Sequence, residues 1–309
     1  MARHTLQESM ELRQFGKTDM RVSVLGFGGS EIGFEDVEQS QVNKLLNTAL
    51  DGGLNVIDTG ECYRNSEEKI GNAVGHRRND YFLFTKMGHG FPGSTDPDWS
   101  SKLLRESIEH SLKALRTDRL DLLQLHSCSL EILKEGTAIE VLQDAKAAGK
   151  TRYVGYSGDR EEAAWAAESG IFDSLQTSIN VADQQILDLG LPKAREAGIG
   201  VIAKRPVANV AWRWGDEEPK NGYHRDYWER LKKLDYEFLK LPTDEAVAHA
   251  LRFTLGQPGV CVAIVGTGKP ERFAQNVVAA SHGALKATEI EAIVERWKEV
   301  AAPDWQGCG

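Results

Sequence analysis

Cysteine is scarce in this chain. The four cysteines, Cys62, Cys128, Cys261 and Cys308, form no CxxC pair and no zinc spacing, so neither a disulfide framework nor a zinc finger is indicated. Such usage is normal for a reduced, cytoplasmic enzyme. Long apolar runs are absent too. No stretch approaches the ~20 residues a spanning helix needs, and no signal peptide opens the chain. Basic residues are outnumbered, 37 Lys and Arg against 46 Asp and Glu, for a net charge of −9. That balance argues against a nucleic-acid partner or an anionic membrane surface. There is no low-complexity tract and no Pro/Ser linker. Two nucleotide motifs fail on inspection. Gly26, Gly28 and Gly29 do not complete GxGxxG, because position 31 is Glu31. Gly268-Lys269 is not a P-loop, because position 263 is Ala263 and Pro270 follows the lysine. Histidines do not cluster at strand ends as a metal-dependent hydrolase would want, so no metal is expected.

What remains is an ordinary globular mix. The chain has 309 residues, 41% apolar and 27% charged, a size that fits one α/β barrel with a large core. Residues 1–10 are polar and expected to be frayed; residues 11–309 read as a single domain. Glu11 to Phe15 and Arg21 to Ser23 flank a turn at Gly16 to Asp19 and predict a hairpin. Apolar strands then follow at Val24–Phe27, Asn55–Asp58, Phe82–Lys86, Leu120–His126, Tyr153–Ser157, Ser174–Thr177, Gly200–Ala203 and Val260–Val265. Helical patterns separate them. Ser40 is expected to cap a helix carrying Val42, Leu45, Leu46, Ala49 and Leu50 on one face. Helices are also predicted near Ser66–Val74, around Leu104 to Leu115, over Thr137–Ala148, Tyr227–Phe238 and Asp244–Leu255, and from Pro270 to Ala280. Asp159 with Glu162, and Thr288 with Glu291, look like capping boxes, the second opening a final helix through Trp297.

Eight strand–helix alternations predict a parallel sheet. A closed (β/α)8 barrel with an N-terminal hairpin and an extra C-terminal helix fits best; an open doubly wound sheet is the runner-up. Barrels carry their catalytic groups at the C-terminal strand ends. Here Asp58, Lys86, His126, Ser157 and Gln176 all stand at or near such ends, and Tyr63 follows Asp58 by five residues. Each alone has a bland reading: a capping carboxylate, a solvated lysine, a packed phenol, a satisfied histidine. Only their joint placement overturns it. Cys62 and Cys128 sit beside these residues and read as packing groups.

In order and placement, Asp58, Tyr63, Lys86 and His126 resemble the catalytic tetrad of the aldo-keto reductase superfamily. Asp58-Thr-Gly-Glu-Cys-Tyr63 is similar to its Asp-Thr-Ala-x-x-Tyr motif. The stretches Asn65 to Gly71, Leu112 to Leu122, Leu125-His126, Val154 to Ser157 and Ile264 to Asn276 match it as well, so the resemblance runs from about Leu12 to Ala280. It implies NADPH-dependent reduction of a small-molecule carbonyl to an alcohol. Hydride would come from nicotinamide and the proton from Tyr63, with His126 polarising the carbonyl. The chemistry agrees, since reduction needs a hydride donor and an acid. A phenol has an unperturbed pKa of about 10. Burial raises it, whereas a lysine at about 4 Å opposes that by ~4 kcal/mol at an effective dielectric of 20. A net downward shift of Tyr63 is expected.

The resemblance also implies cofactor contacts from Gly28, Gly29, Ser30 and Asp58. Ser157, Gly158 and Gln176 would meet the nicotinamide carboxamide, although the family often has Asn where this chain has Gly158. Gly266, Thr267, Gly268 and Lys269 lead into a helix N-terminus, which favours an anion. Arg272 matches a 2′-phosphate contact, and Gln275 and Asn276 match adenine contacts. After Gly200–Ala203 the family has an aromatic residue that stacks on nicotinamide. This chain has Lys204, Arg205, Pro206 and Val207 instead. Lys204 is expected to shape the nicotinamide floor, and Arg205 to reach the pyrophosphate. Phe34, Phe91, Trp99, Trp212 and Trp214 are candidate pocket residues. The competing readings are a nicotinamide-binding regulatory or partner-binding subunit on the same fold, and a metal-dependent barrel hydrolase.

Overall fold

The structure, a computed structural model, describes residues 10–308. Most of the segment expected to be frayed therefore lies outside the described residues. Strands β1 (Leu12–Gln14) and β2 (Arg21–Ser23) pair antiparallel as the predicted hairpin. Eight more follow: β3 (Leu25–Gly28), β4 (Val56–Asp58), β5 (Phe82–Met87), β6 (Leu120–His126), β7 (Thr151–Ser157), β8 (Ser174–Ser178), β9 (Gly200–Lys204) and β10 (Val260–Gly266). They close into a parallel barrel in which β10 pairs with both β3 and β9. The open-sheet alternative is excluded.

Side chains of a strand alternate between barrel interior and the surrounding helices. Here the alternation sorts chemistry by height. Val56, Phe84, Leu122, Ile202 and Val262 form a buried apolar cluster with Phe15, Met20 and Val22 of the hairpin. The hairpin thus plugs the N-terminal end of the barrel. Its turn is pressed onto β9: a Cβ on Gly16, at φ +54°, would lie 2.5 Å from the Gly200 nitrogen, and a Cβ on Gly200 would lie 2.7 Å from the Phe15 ring. Burial of one such aromatic contributes roughly 1.5–3 kcal/mol. Two residues further along the same strands, on the same face, stand Asp58, Lys86, Gln124 and Lys204. The alternate residues on these strands, such as Ile57, Leu83, Leu123, Leu125, Val201 and Ala203, face outward into the main helix–sheet core.

Helix boundaries or caps depart from the sequence pattern at four places. The helix carrying Val42 to Leu50 runs Gln39–Asp51, its N-cap is Glu38, and Ser40 lies inside it. Asp159 is an N-cap without a side-chain capping bond, because its carboxylate is drawn inward to β8 and β9. The last helix, Ala287–Val300, starts before Thr288; Glu289 accepts from the Lys286 nitrogen at 3.1 Å. The helix expected over Tyr227–Phe238 instead runs Gly222–Leu234. Asn221 accepts from the His224 nitrogen at 3.1 Å to start it, and Asp235, at φ +46°, ends it. Short helices at Ser30–Phe34 and Leu130–Glu135 were not foreseen.

Candidate active site

The registers bring the predicted residues to one rim. Gly28 is opposite Asp58 and Gly266, His126 opposite Ser157, Ser157 opposite Gln176, and Ser178 opposite Lys204. At the centre, the Lys86 ammonium donates to Asp58 Oδ1 at 2.5 Å and to the Thr59 carbonyl at 2.6 Å. Asp58 Oδ2 accepts from Gln176 Nε2 at 2.9 Å and Gln124 Nε2 at 3.2 Å. A buried ion pair persists only when its remaining valences are satisfied, and these amides do that. Ser157 Oγ donates to Gln176 Oε1 at 2.8 Å. An unbroken chain therefore links Ser157 to Lys86 through Gln176 and Asp58.

Tyr63 faces this pair. The Lys86 ammonium lies 5.1 Å from the centre of its ring, and its hydroxyl lies 3.5 Å from His126 Nε2. The expected downward shift of the phenol is not found. Burial, opposed by Lys86 but assisted by Asp58, pushes Tyr63 up to about 12. The ammonium is already committed to Asp58 and Thr59, so desolvation prevails over its attraction. Burial acts to lower Lys86, but Asp58, Tyr63 and the hydrogen bond to Asp58 hold it above the usual lysine range. Burial, with Lys86 and His89 nearby, holds His126 well below the usual histidine value. At neutral pH the cluster thus has a cationic lysine, a protonated phenol and a neutral imidazole.

Several groups at this rim were missed. Gln124 was legible, being the inward position between Leu122 and His126 on β6. Glu61 and Cys62 occupy the variable positions of the Asp58-to-Tyr63 turn. Cys62 Sγ is 3.5 Å and Glu61 Oε2 is 3.9 Å from His126 Nδ1. One polar side-chain atom from each of Glu61, Cys62 and His126 lies within 4.8 Å of the other two. Burial pushes Glu61 up to about 8 and Cys62 up to about 12. His89 places Nε2 2.9 Å from the His126 carbonyl and Nδ1 2.8 Å from Asp98. No pattern foretold it.

The positions expected to meet a cofactor lie along the ends of β3, β7, β8 and β10 and the helix after β10. Gly29 donates to the Asp58 carbonyl at 2.7 Å, and a Cβ there would lie 2.7 Å from Ser66 Oγ. Ser30 opens the short helix behind it. Gly158 has its own reason: a Cβ there would lie 2.3 Å from the Tyr156 hydroxyl, so the asparagine common in the family has no room. Gly266 ends β10 opposite Gly28, and Thr267 Oγ1 accepts from the Lys269 nitrogen at 3.0 Å, just before the helix Pro270–Ser281. Arg272 and Gln275 are exposed and Asn276 half-buried on that helix. Gln275 is engaged by Asp244 at 3.1 Å. Arg272 has no ion-pair partner among the described residues.

Lys204 is neither solvated nor free. Its ammonium lies 2.9 Å from Asp159 Oδ2, and Asp159 also accepts from Thr177, Ser178 N and Ser178 Oγ. Burial acts to raise Asp159, but Lys204 and the Ser178 amide hold it below its usual range. Burial lowers Lys204. Arg205 points away from the expected cofactor positions: it donates to the Cys308 carbonyl and lies 5.0 Å over the Tyr223 ring. Pro206 accepts from Thr254 Oγ1 at 2.9 Å, and Val207 packs at the junction of the two helical cores. Among the aromatic candidates, Phe34 lies 5.8 Å from the Tyr63 ring and Trp99 5.4 Å from His89. Phe91 instead stacks on His110 at 4.5 Å. Trp212 and Trp214 sit on the loop after β9; Trp212 Nε1 is buried without an acceptor. Open clefts of about 550 and 500 Å³ around Arg78 and Arg119 lie at the other end of the barrel and contain none of these groups.

The model of the Aldo/keto reductase family matches residues 24–298. The chain belongs to that family of oxidoreductases. It is 29% identical over 304 residues to the uncharacterized oxidoreductase YqkF of Bacillus subtilis, covering 94% of this chain and 97% of that protein. It is also 29% identical over 333 residues to L-galactose dehydrogenase of Arabidopsis thaliana, covering 95% and 97%. Among solved structures, an aldo-keto reductase from Bacillus halodurans in its holo form superposes with a TM-score of 0.79 at 28% identity, covering 96% of this chain and 99% of that one. No helix among the described residues is long and apolar enough to cross a membrane.

Proposed function

We propose that this protein reduces an aldehyde or ketone to an alcohol with NADPH, in the cytoplasm, as one catalytic domain spanning 11–309. The arrangement of Asp58, Tyr63, Lys86 and His126 around one point carries this reading. The residues fit a nicotinamide cofactor. Gly266 is half-exposed at the rim opposite Gly28, the second hydrogen of Gln176 Nε2 remains for a carboxamide, and Arg272 has no ion-pair partner among the described residues to contest a phosphate. When bound, the cofactor supplies the hydride.

The chain's own residues do the rest. Ser157 and Gln176 orient the carboxamide. Arg272 selects the 2′-phosphate, and the positive end of the helix Pro270–Ser281 favours the adjoining anion. Tyr63, protonated throughout the neutral range, gives its proton to the forming alkoxide. Lys86 stabilises the phenolate left behind, and Asp58 fixes Lys86. His126, neutral, donates to the carbonyl oxygen. A phenol near 12 is a weak acid at rest, but an alkoxide is a stronger base still, so the transfer runs downhill as that charge develops. The deciding experiment is NADPH oxidation against a panel of aldehydes and ketones. Cofactor binding without turnover on any of them would favour a regulatory subunit.

A further inference from the structure

We propose that Glu61 is a positioning residue that sets the tautomer of His126, keeping the ring hydrogen on Nε2, where the carbonyl is polarised. This builds on the reductase reading, which needs His126 to donate from Nε2. A neutral imidazole has one donor and one acceptor nitrogen, and the partner of the second nitrogen decides which is which. Nε2 faces the Tyr63 hydroxyl at 3.5 Å. Nδ1 faces Cys62 Sγ at 3.5 Å and Glu61 Oε2 at 3.9 Å.

The two oxygens of Glu61 are not equivalent. Oε1 accepts from the His89 nitrogen at 2.9 Å. Oε2 is buried and has no hydrogen-bond partner. A protonated Glu61 therefore carries its hydrogen on Oε2, the oxygen turned toward Nδ1. Closure by about 1 Å gives an ordinary O–H···N bond, and catalytic bonds commonly tighten when ligand binds. Nδ1 is then the acceptor and Nε2 the donor. Ionised Glu61 reverses this, because a carboxylate beside Nδ1 draws the hydrogen to that nitrogen. The Cys62 thiol can give or take a hydrogen bond and does not decide.

The surroundings keep Glu61 neutral at neutral pH. Burial is the largest influence, Glu67 adds to it, and the His89 amide and Lys86 oppose it, leaving Glu61 near 8. The other charged groups about the cluster are Asp58 beside Lys86, and Lys204 and Arg205, which act on His126. None can donate to Nδ1 in place of Glu61, since each is already bound elsewhere.

The test needs no ligand. Long-range proton–nitrogen spectra of the histidine-labelled full chain, with His126→Asn to assign the signal, read the tautomer directly. The expected result is hydrogen on Nε2 at about pH 6.5 and a shift toward Nδ1 by about pH 9.5. In Glu61→Gln the tautomer stops responding to pH in that range. Turnover follows: wild-type kcat for carbonyl reduction falls above about pH 8 with KM for NADPH unchanged, and Glu61→Gln loses that limb. Hydrogen on Nδ1 at the lower pH would overturn the proposal, as would a tautomer that ignores pH in the wild type or a switch that survives in Glu61→Gln. A wild type that switches tautomer yet reduces no carbonyl supports this inference and sinks the reductase reading.

Discussion

Asp58 Oδ1 and Lys86 Nζ lie 2.5 Å apart, with side chains only 2% and 1% exposed. Burial shields this pair from bulk solvent, and Gln124 and Gln176 complete its shell. Its purpose is to keep an ammonium beneath the Tyr63 ring without letting it titrate. The Tyr63 ring lies against it, its centre 5.1 Å from the ammonium.

Tyr63→Phe deletes the hydroxyl and keeps the ring. Carbonyl reduction should fall by roughly 10²- to 10⁴-fold, the usual worth of a positioned acid. NADPH affinity should change little. Stopped-flow turnover with fluorescence titration of the cofactor separates the two effects, and near-normal turnover would remove Tyr63 from the role.

Arg272 is exposed and has no ion-pair partner among the described residues, so its guanidinium is available to a phosphate. A charge-assisted hydrogen bond is worth roughly 1.5–3 kcal/mol, or about ten- to a hundredfold in affinity. Arg272→Ala should weaken NADPH by that factor and leave NADH nearly unaffected. Equal losses for both cofactors would mean that the arginine does not read the 2′-phosphate.

Stability should fall as pH rises from about 7 to 8. Burial raises Glu31, Glu67 and Asp183 to about 7 and Glu61 to about 8, against about 4 in an unfolded chain. Over this range the folded state holds more protons than the unfolded one, so the linkage term is negative. Cys62, Cys128 and Cys308, raised to about 12, act in the same sense, but only near and above the ordinary thiol value of about 8.5. The lowered histidines, His110, His126, His224 and His249, act oppositely, but only near and below their ordinary pKa of about 6.5. Melting curves should show the decline, and Glu67→Gln should flatten it. A melting temperature constant from about pH 7 to 8, where these carboxyl groups still hold protons that the unfolded chain has lost, would contradict the burial argument.

The barrel, and the convergence of Asp58, Lys86 and His126 at one rim, were legible because both rest on short-range pattern. Strands that alternate between an apolar plug and a polar rim display their period directly, and Asp58, Lys86 and His126 end such strands. What stayed hidden depends on partners far away in sequence. Asp159 and Glu162 have the spacing of a capping box, yet Lys204, 45 positions on by the numbering, offers the carboxylate a better partner, so the cap is not made. Glu61 sits in a variable position of its motif, and only the fold shows that it faces His126. The direction of the Tyr63 shift needed the ammonium's other bonds, which no local pattern encodes.

The pairing of Lys204 with Asp159 changes what the lysine can do to a cofactor. An unpaired ammonium at the nicotinamide floor would disfavour the cationic ring of NADP⁺ strongly; with Asp159 at 2.9 Å most of that field is cancelled. Asp159→Asn keeps the shape and removes the cancelling charge. It should weaken NADP⁺ by roughly tenfold relative to NADPH, a modest fraction of the ~4 kcal/mol that two charges at about 4 Å exchange at an effective dielectric of 20. It should also destabilise the fold, since a buried charge left without its partner costs about 3–5 kcal/mol. Adding Lys204→Met to Asp159→Asn removes the stranded ammonium, and should restore both the NADP⁺ to NADPH affinity ratio and much of the stability. The double-mutant cycle isolates the coupling. If Asp159→Asn leaves that affinity ratio unchanged, Lys204 does not face the nicotinamide, and the ring is bounded by another group, with Trp212 and its unpaired indole N–H the first to examine.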